Sequence, residues 1–362
     1  MAEARKSSPV DEAQLSALIK KQVEAADGGE DSQIAADRRD MMDRYLGKAL
    51  GNEVDGRSTV VSTDVQDTLE SVMPDLIQIF AGSDRTVRYD PEGPEDEEFA
   101  DQASDYANII FNKDNPGFLI LHDLFKDALT QVNGFVKVWW EEREIKRREN
   151  YTGLTALAVK QLTDEDGVEA IEHEERLGKI AVAVMEAAGI DPDEVTDDQL
   201  AENFPEHIVE MATVHDLTIT RTVPKKRVRI ENVPPEEVLI SSSAKSLNDT
   251  PFAAHVMTRT ISDLVEDGYD AGLFENIPTD TGHDWNLEST ARRQRVGSVF
   301  NRDIPTDPTM RELLVYECYV KVDWDGDGIA ELRKVTAVGP QFKIIDNEPI
   351  QRIPLKTATP IR

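Results

Sequence analysis

The chain has 362 residues, 39% of them hydrophobic, with 71 Asp and Glu against 40 Lys and Arg and a formal net charge of -31. That apolar share is enough for about two cores at ~150 residues per domain, which excludes a disordered chain. A helical membrane protein is excluded for want of ~20 consecutive apolar residues, and an ordinary tight nucleic-acid clamp would carry the opposite charge.

The opening MAEARKSSPV lacks the apolar centre of a signal peptide, so a chain made and used in solution is expected, with no membrane partner. Residues 1–9 read as disordered. Residues 11–26 read as a charged, weakly amphipathic helix, closed by the break at Asp27, Gly28 and Gly29. Ser32 starts a further helix carrying Met41, Met42, Tyr45 and Leu46, and residues 1–44 together make a flexible or helical arm.

The next block, residues 45–150, is a core of helices and a strand. Thr63 opens a capping box with Gln66, and Val65, Leu69, Val72, Leu76 and Phe80 follow at helical spacing. Pro74 should bend that helix, and Gly82 should supply the left-handed residue that ends it near Ala81. A short strand is expected around Val87 and Tyr89. Glu95 to Glu98 then place negative charge on the positive end of a second helix, with Phe99, Ala103, Tyr106 and Ile110 as its buried stripe. Asn115, Pro116 and Gly117 make a turn. A third helix carries Phe118, Leu121, Phe125, Ala128, Leu129 and Val132 and stops at Gly134, before a strand over residues 135–140.

Arg143, Lys146, Arg147 and Arg148 form a basic island in this acidic protein, readable as a contact for DNA or for an acidic neighbouring subunit, or as a solvated strand end. Residues 151–205 read as an acidic helical insertion, with LTALAVKQL and KIAVAVMEAAG as its Ala-rich segments. Residues 206–362 are β-rich. A hairpin is expected to turn at Val223, Pro224 and Lys225, and it carries a second basic cluster, Lys225, Lys226, Arg227 and Arg229. In a strand Arg227 and Arg229 share a face, which can meet phosphate, a neighbour's carboxylates or only solvent. A strand over residues 255–259 leads into a short helix capped by Thr260 or Ser262 and ended by Gly268. Residues 276–310, with Arg292, Arg293 and Arg295, read as a long loop, and residues 313–322 and 329–338 as two strands. Cys318 lies in the first of these strands, where a buried, inert thiol suited to a reducing cytoplasm is expected.

Between those strands, Asp323, Asp325 and Asp327 followed by Gly328 supply the oxygen ligands and the sharp turn of a calcium loop. Position 12 of that pattern is Lys334 where a bidentate glutamate is needed, and the flanks are strands. Glu331 at position 9 can complete a tighter site for calcium or magnesium; otherwise the Asp and Gly residues serve turn geometry alone. A metal there would be structural, since neither nucleophile nor base accompanies it.

No phosphate-binding GxxxxGK[ST], GxGxxG or GxSxG motif is present, and no two of the six histidines have the spacing of a helical zinc pair. With 71 carboxylates acidic pairs arise by chance, so no catalytic residue is assigned and no enzyme is expected.

The blocks GRSTVVSTDVQDTLESVMPDLIQIFAGSD, GPEDEE and NPGFLILHDLFKDALTQVNGFVKVWWEE, with VPPEEVLISSSAKSLNDTPFAAH and YVKVDWDGDGIAELRKVT further on, resemble the portal proteins of short-tailed double-stranded DNA bacteriophages over most of residues 40–350. The resemblance implies the α+β wing of a portal subunit: a helical N-terminal part, antiparallel strands and hairpins, and an inserted acidic helical arm. It implies a homo-oligomeric ring of about twelve at one capsid vertex, assembled in the host cytoplasm and carried in the virion. Double-stranded DNA enters and leaves through such a ring. Its other partners are the capsid or scaffolding protein, tail adaptors and a separate terminase that supplies the ATPase. The stem, clip and crown of that family would lie beyond Arg362. A mainly acidic wall suits a conduit in which DNA must slide without sticking, although acidity also serves solubility. Two readings compete: an acidic soluble calcium-binding interaction module and a metal-dependent hydrolase of nucleic acid, the latter requiring carboxylates that converge on an ion.

Overall fold

The computed structural model describes residues 10–27, 33–49, 56, 61–83, 85–177, 213–278 and 307–359. In chain order its elements are α1 (Glu12–Asp27), α2 (Gln33–Tyr45), α3 (Asp64–Ala81), α4 (Glu97–Ile109), α5 (Gly117–Gln131), β1 (Gly134–Leu154), α6 (Ala156–Thr163), β2 (Val168–Leu177), β3 (Thr213–Val233), β4 (Val238–Ile240), β5 (Phe252–Thr260), α7 (Ile261–Glu266), β6 (Glu312–Val322), β7 (Glu331–Val338), β8 (Lys343–Pro349) and β9 (Leu355–Ala358). These helices and two antiparallel sheets, ordered β2-β3-β1-β9 and β4-β5-β6-β7-β8, make an α+β fold. Two compact units emerge, residues 1–139 with 228–362, and residues 140–227.

The five-stranded sheet of the first unit is buried on both faces, because alternate residues of a strand point in opposite directions. Phe252, Ala254 and Val256 of β5, Leu314, Cys318 and Val320 of β6, and Val335 and Ala337 of β7 pack against Leu15, Ile19 and Val23 of α1. Those three α1 residues recur every four positions and form one stripe, each stabilising by about 1.5–3 kcal/mol when fully buried. Ser16 Oγ donates to the Phe342 carbonyl at 2.9 Å and fastens the same helix. The opposite face carries Ala253 and Tyr319 against Phe135, Val233 and Leu355. Further along that face, Leu313, Val315 and Val338 meet Leu264 of α7 with Phe274 and Ile277.

Several local expectations are met. Thr260 caps α7 in a complete capping box with Asp263, and Gly268 follows at φ +99°. Pro74 lies inside α3, which ends at Ala81. Cys318 is fully buried, and loss of hydration together with the Glu317 charge beside it pushes its thiol far up.

Others are corrected. Thr63 makes no capping hydrogen bond to α3, and Gly82 is right-handed at φ -72°; a Cβ there would stand 2.2 Å from the Gln78 carbonyl oxygen. Glycine is needed at that position for close approach. The residue that turns left-handed after α5 is Val132, at φ +73°, and Gly134 begins β1. The segment around Val87 and Tyr89 joins no sheet: Asn108 Oδ1 accepts from the Thr86 and Val87 amides and Ser104 Oγ from the Tyr89 amide. The buried face of α4 is therefore Ala100, Ser104 and Asn108, while Phe99 and Tyr106 of the expected stripe are 74% and 64% exposed. On α3, likewise, Met73 is buried and Val65, Val72 and Phe80 are exposed.

In the second unit the expected hairpin at Pro224 is absent, since β3 runs unbroken from Thr213 to Val233. Pairing of β2 with β3 ends at Val168 and Arg221, so Pro224 lies where that ladder has already stopped. Within the expected helical insertion, α6 is helical, but Val168–Leu177 is a strand. KIAVAVMEAAG lies outside the described residues, as do Arg292, Arg293 and Arg295.

Candidate functional site

The first basic cluster, Arg143, Lys146, Arg147 and Arg148, lies on β1; the second, Lys225, Lys226, Arg227 and Arg229, lies on neighbouring β3. Within residues 140–227 four cations, Arg148, Arg221, Lys226 and Arg227, face carboxylates. Arg227 Nε is 2.5 Å from Glu141, Lys226 Nζ 3.1 Å from Glu142 and Arg148 3.2 Å from Glu172. Arg221 joins Glu149 at 3.2 Å and also Glu165. The exposed Glu142 carboxyl is held below its ordinary value by hydrogen bonds from Trp140 and Lys226, and that of Glu149 by Tyr151 and Arg221. Of the two predicted clusters, Arg148, Lys226 and Arg227 are thus paired with carboxylates. Solvent screens such pairs, which therefore add little stability.

The Asp loop is the turn between β6 and β7. Asp323 accepts from the Gly326 and Gly328 amides at 2.9 and 3.1 Å, Asp325 from the Asp327 amide at 3.1 Å, and Asp327 from the Ile329 amide at 2.7 Å. Gly326 and Gly328 have φ of +79° and +91°, a conformation open to glycine at no steric cost. The three carboxylates also offer oxygens within 4.8 Å of one another, an arrangement able to hold calcium or magnesium. Glu331 opens β7 and takes a hydrogen bond from Arg333 at 3.1 Å, the Arg333 guanidinium itself lying 5.0 Å above the Trp324 ring.

The structure adds two groups of polar residues. Lys137 of β1 and Glu317 of β6 form a buried ion pair between the two sheets, with the Tyr319 hydroxyl donating to the same carboxylate. Burial alone would raise the Glu317 carboxyl, but the Lys137 ammonium and the hydrogen bonds outweigh it and hold the group well below the carboxylate range. Across β2 and β3, His173 Nε2 lies 3.1 Å from His215 Nδ1, and Glu175 Oε1 3.6 Å from the same His215 nitrogen. Of this second group the sequence offered only the His-x-Glu spacing that puts His173 and Glu175 on one face of a strand; its third member is 42 residues from His173. His207 and His283 lie outside the described residues.

Exposed apolar side chains collect on the helices of the first unit: Val65, Val72, Ile79 and Phe80 on α3, Phe99, Tyr106 and Ile109 on α4, and Phe118 and Leu119 on α5. Large exposed apolar areas mark contact surfaces. Among the described residues, no helix is long and apolar enough to cross a membrane.

Residues 15–362 match the family model described as the phage SU10 portal protein. No curated protein matches the chain.

Proposed function

Since the chain belongs to the phage SU10 portal protein family, the podovirus-type portal proteins of short-tailed bacteriophages, we propose that about twelve copies close into a ring at one capsid vertex, through which the double-stranded DNA genome is packaged and ejected. The ring joins head to tail and carries out no catalysis; terminase, capsid or scaffolding protein and tail adaptors dock on it. It is assembled in the host cytoplasm and remains in the virion.

The observation that carries this reading is the family match over residues 15–362. Support for self-association comes from α3, α4 and α5, whose apolar residues project outward when the chain is taken alone. A ring is built from head-to-tail contacts between unlike patches, which cover such faces repeatedly until the circle closes. Support for a passage in place of a clamp comes from the net charge of -31 and from the glutamates paired with Arg148, Lys226 and Arg227. Few phosphates can then be neutralised, and the affinity of the ring for DNA should depend weakly on salt.

Negative-stain imaging with native mass spectrometry, on the protein expressed from its complete reading frame, tests the proposal. Closed rings of about twelve with a central hole are expected. Phe99→Glu combined with Tyr106→Glu changes only exposed positions and should abolish rings while preserving the far-ultraviolet circular dichroism. A folded monomer at tens of micromolar, or rings unaffected by both substitutions, would overturn the corresponding half of the proposal.

A further inference from the structure

His173, Glu175 and His215 present two imidazole nitrogens and a carboxylate oxygen from adjacent antiparallel strands. In the β2–β3 register Glu175 stands opposite His215 and His173 opposite Leu217, so all three project on one face, with Glu175 and His173 two residues apart. The ligand atoms all lie within 4.8 Å of one another. The two measured separations, 3.1 Å between the imidazole nitrogens and 3.6 Å from His215 to Glu175, bracket the ~3.3–3.4 Å edge of a tetrahedron built on Zn–N bonds of ~2.0–2.1 Å.

The geometry points to a zinc-binding site in the second unit, formed by His173, Glu175 and His215. Two imidazoles with one carboxylate suit a borderline ion such as zinc; calcium and magnesium prefer sets made wholly of oxygen. His215 belongs to the buried stripe of β3 with Leu217 and Ile219, which fixes its ring, whereas His173 and Glu175 are exposed and give the ion a path of entry. Three protein ligands leave a fourth position for water. The ion's role is mechanical: it ties β2 to β3 in a unit whose buried side chains, among the described residues, are His215, Leu217 and Ile219. In its absence the two imidazoles share a single hydrogen bond.

The test uses the untagged full chain, stripped with a chelator and titrated with zinc by calorimetry, with cobalt as the visible probe. One ion per chain is expected, with Kd at or below ~10 µM, together with the d–d bands of tetrahedral cobalt. Zinc should also slow amide exchange over residues 168–177 and 213–221. Because His173 and Glu175 are exposed, His173→Asn and Glu175→Gln should fold normally and weaken zinc binding at least tenfold. Asp325→Asn should leave it unchanged. Absence of stoichiometric zinc uptake, binding that survives both strand substitutions, or binding lost with Asp325→Asn would overturn the assignment, whatever the outcome of the ring experiment.

Discussion

The five-stranded sheet of the first unit and the strands of residues 140–227 are built on opposite physical grounds. In the sheet each central strand alternates between two covered faces, and its stability comes from apolar area removed from water. In the second unit the described strands carry cross-strand pairs of Arg, Lys and Glu at or near solvent, over a short buried stripe on β3. The first design yields a rigid platform. The second yields a surface that stays soluble and electrically balanced but gains little from any one contact, so it should open first.

The largest effect is expected where the platform contains charge. Glu317→Ala strands the Lys137 ammonium in a buried site and should cost about 3–5 kcal/mol by chemical unfolding, while Lys137→Met combined with Glu317→Leu should recover most of that loss. The same pair sets an acid limit. Its carboxyl titrates lower folded than unfolded, so its stabilisation is complete above the unfolded value of ~4.3 and disappears as pH falls through the depressed folded value. Stability measured from pH 5 to pH 2 should therefore fall less steeply for Glu317→Gln than for the natural protein; equal slopes would assign acid unfolding to other carboxylates.

Next in size come the pairs of the second unit. Arg227→Ala should cost about 1 kcal/mol or less. Raising salt from 0.1 to 1 M, which shortens the screening length from ~10 to ~3 Å, should speed amide exchange in residues 140–177 and 213–227 a few-fold and leave residues 252–260 and 312–322 unchanged. Uniform acceleration would erase the distinction between the two units.

The smallest effect is expected at the Asp loop. Asp325→Asn keeps the acceptor that Asp325 offers to the Asp327 amide, so if the loop is only a turn its stability should change by less than ~0.5 kcal/mol and its melting curve should be the same in calcium and in chelator. A calcium-dependent rise in melting temperature that this substitution removes would make the loop an ion site.

The parts legible in the sequence are those decided within a few residues. Thr260 and Asp263 close a capping box by local geometry, β6 and β7 announce themselves through alternation, and α3 ends at Ala81 as expected. What misled was the assumption that an apolar stripe faces its own core. Periodicity identifies a helix but not what covers it, and on α4 the face that packs is Ser104 and Asn108, which hold an extended backbone through side-chain hydrogen bonds. Pro224 misled for the reverse reason: a residue that often breaks strands is tolerated where the ladder on one side, that with β2, has ended. Lys137 with Glu317, and His173 with His215, were invisible because the packing of one sheet on another joins residues 180 positions apart and strand register joins residues 42 apart. The candidate loop, in contrast, could be read at once from the run of Asp323, Asp325 and Asp327.

The packing of α1 bears finally on how the chain is made. Ser16 finds its partner at Phe342, 326 residues later, and the strands under Leu15 and Ile19 begin only at Leu239. At ~5–20 residues per second, a ribosome needs roughly 15–65 s between the two ends of that contact. Until β4 and the strands after it emerge, the stripe of α1 lacks the surface it packs against. The sheet is closed by a helix made well before its strands, and until they emerge that stripe is the kind of transiently exposed apolar surface that chaperones shield.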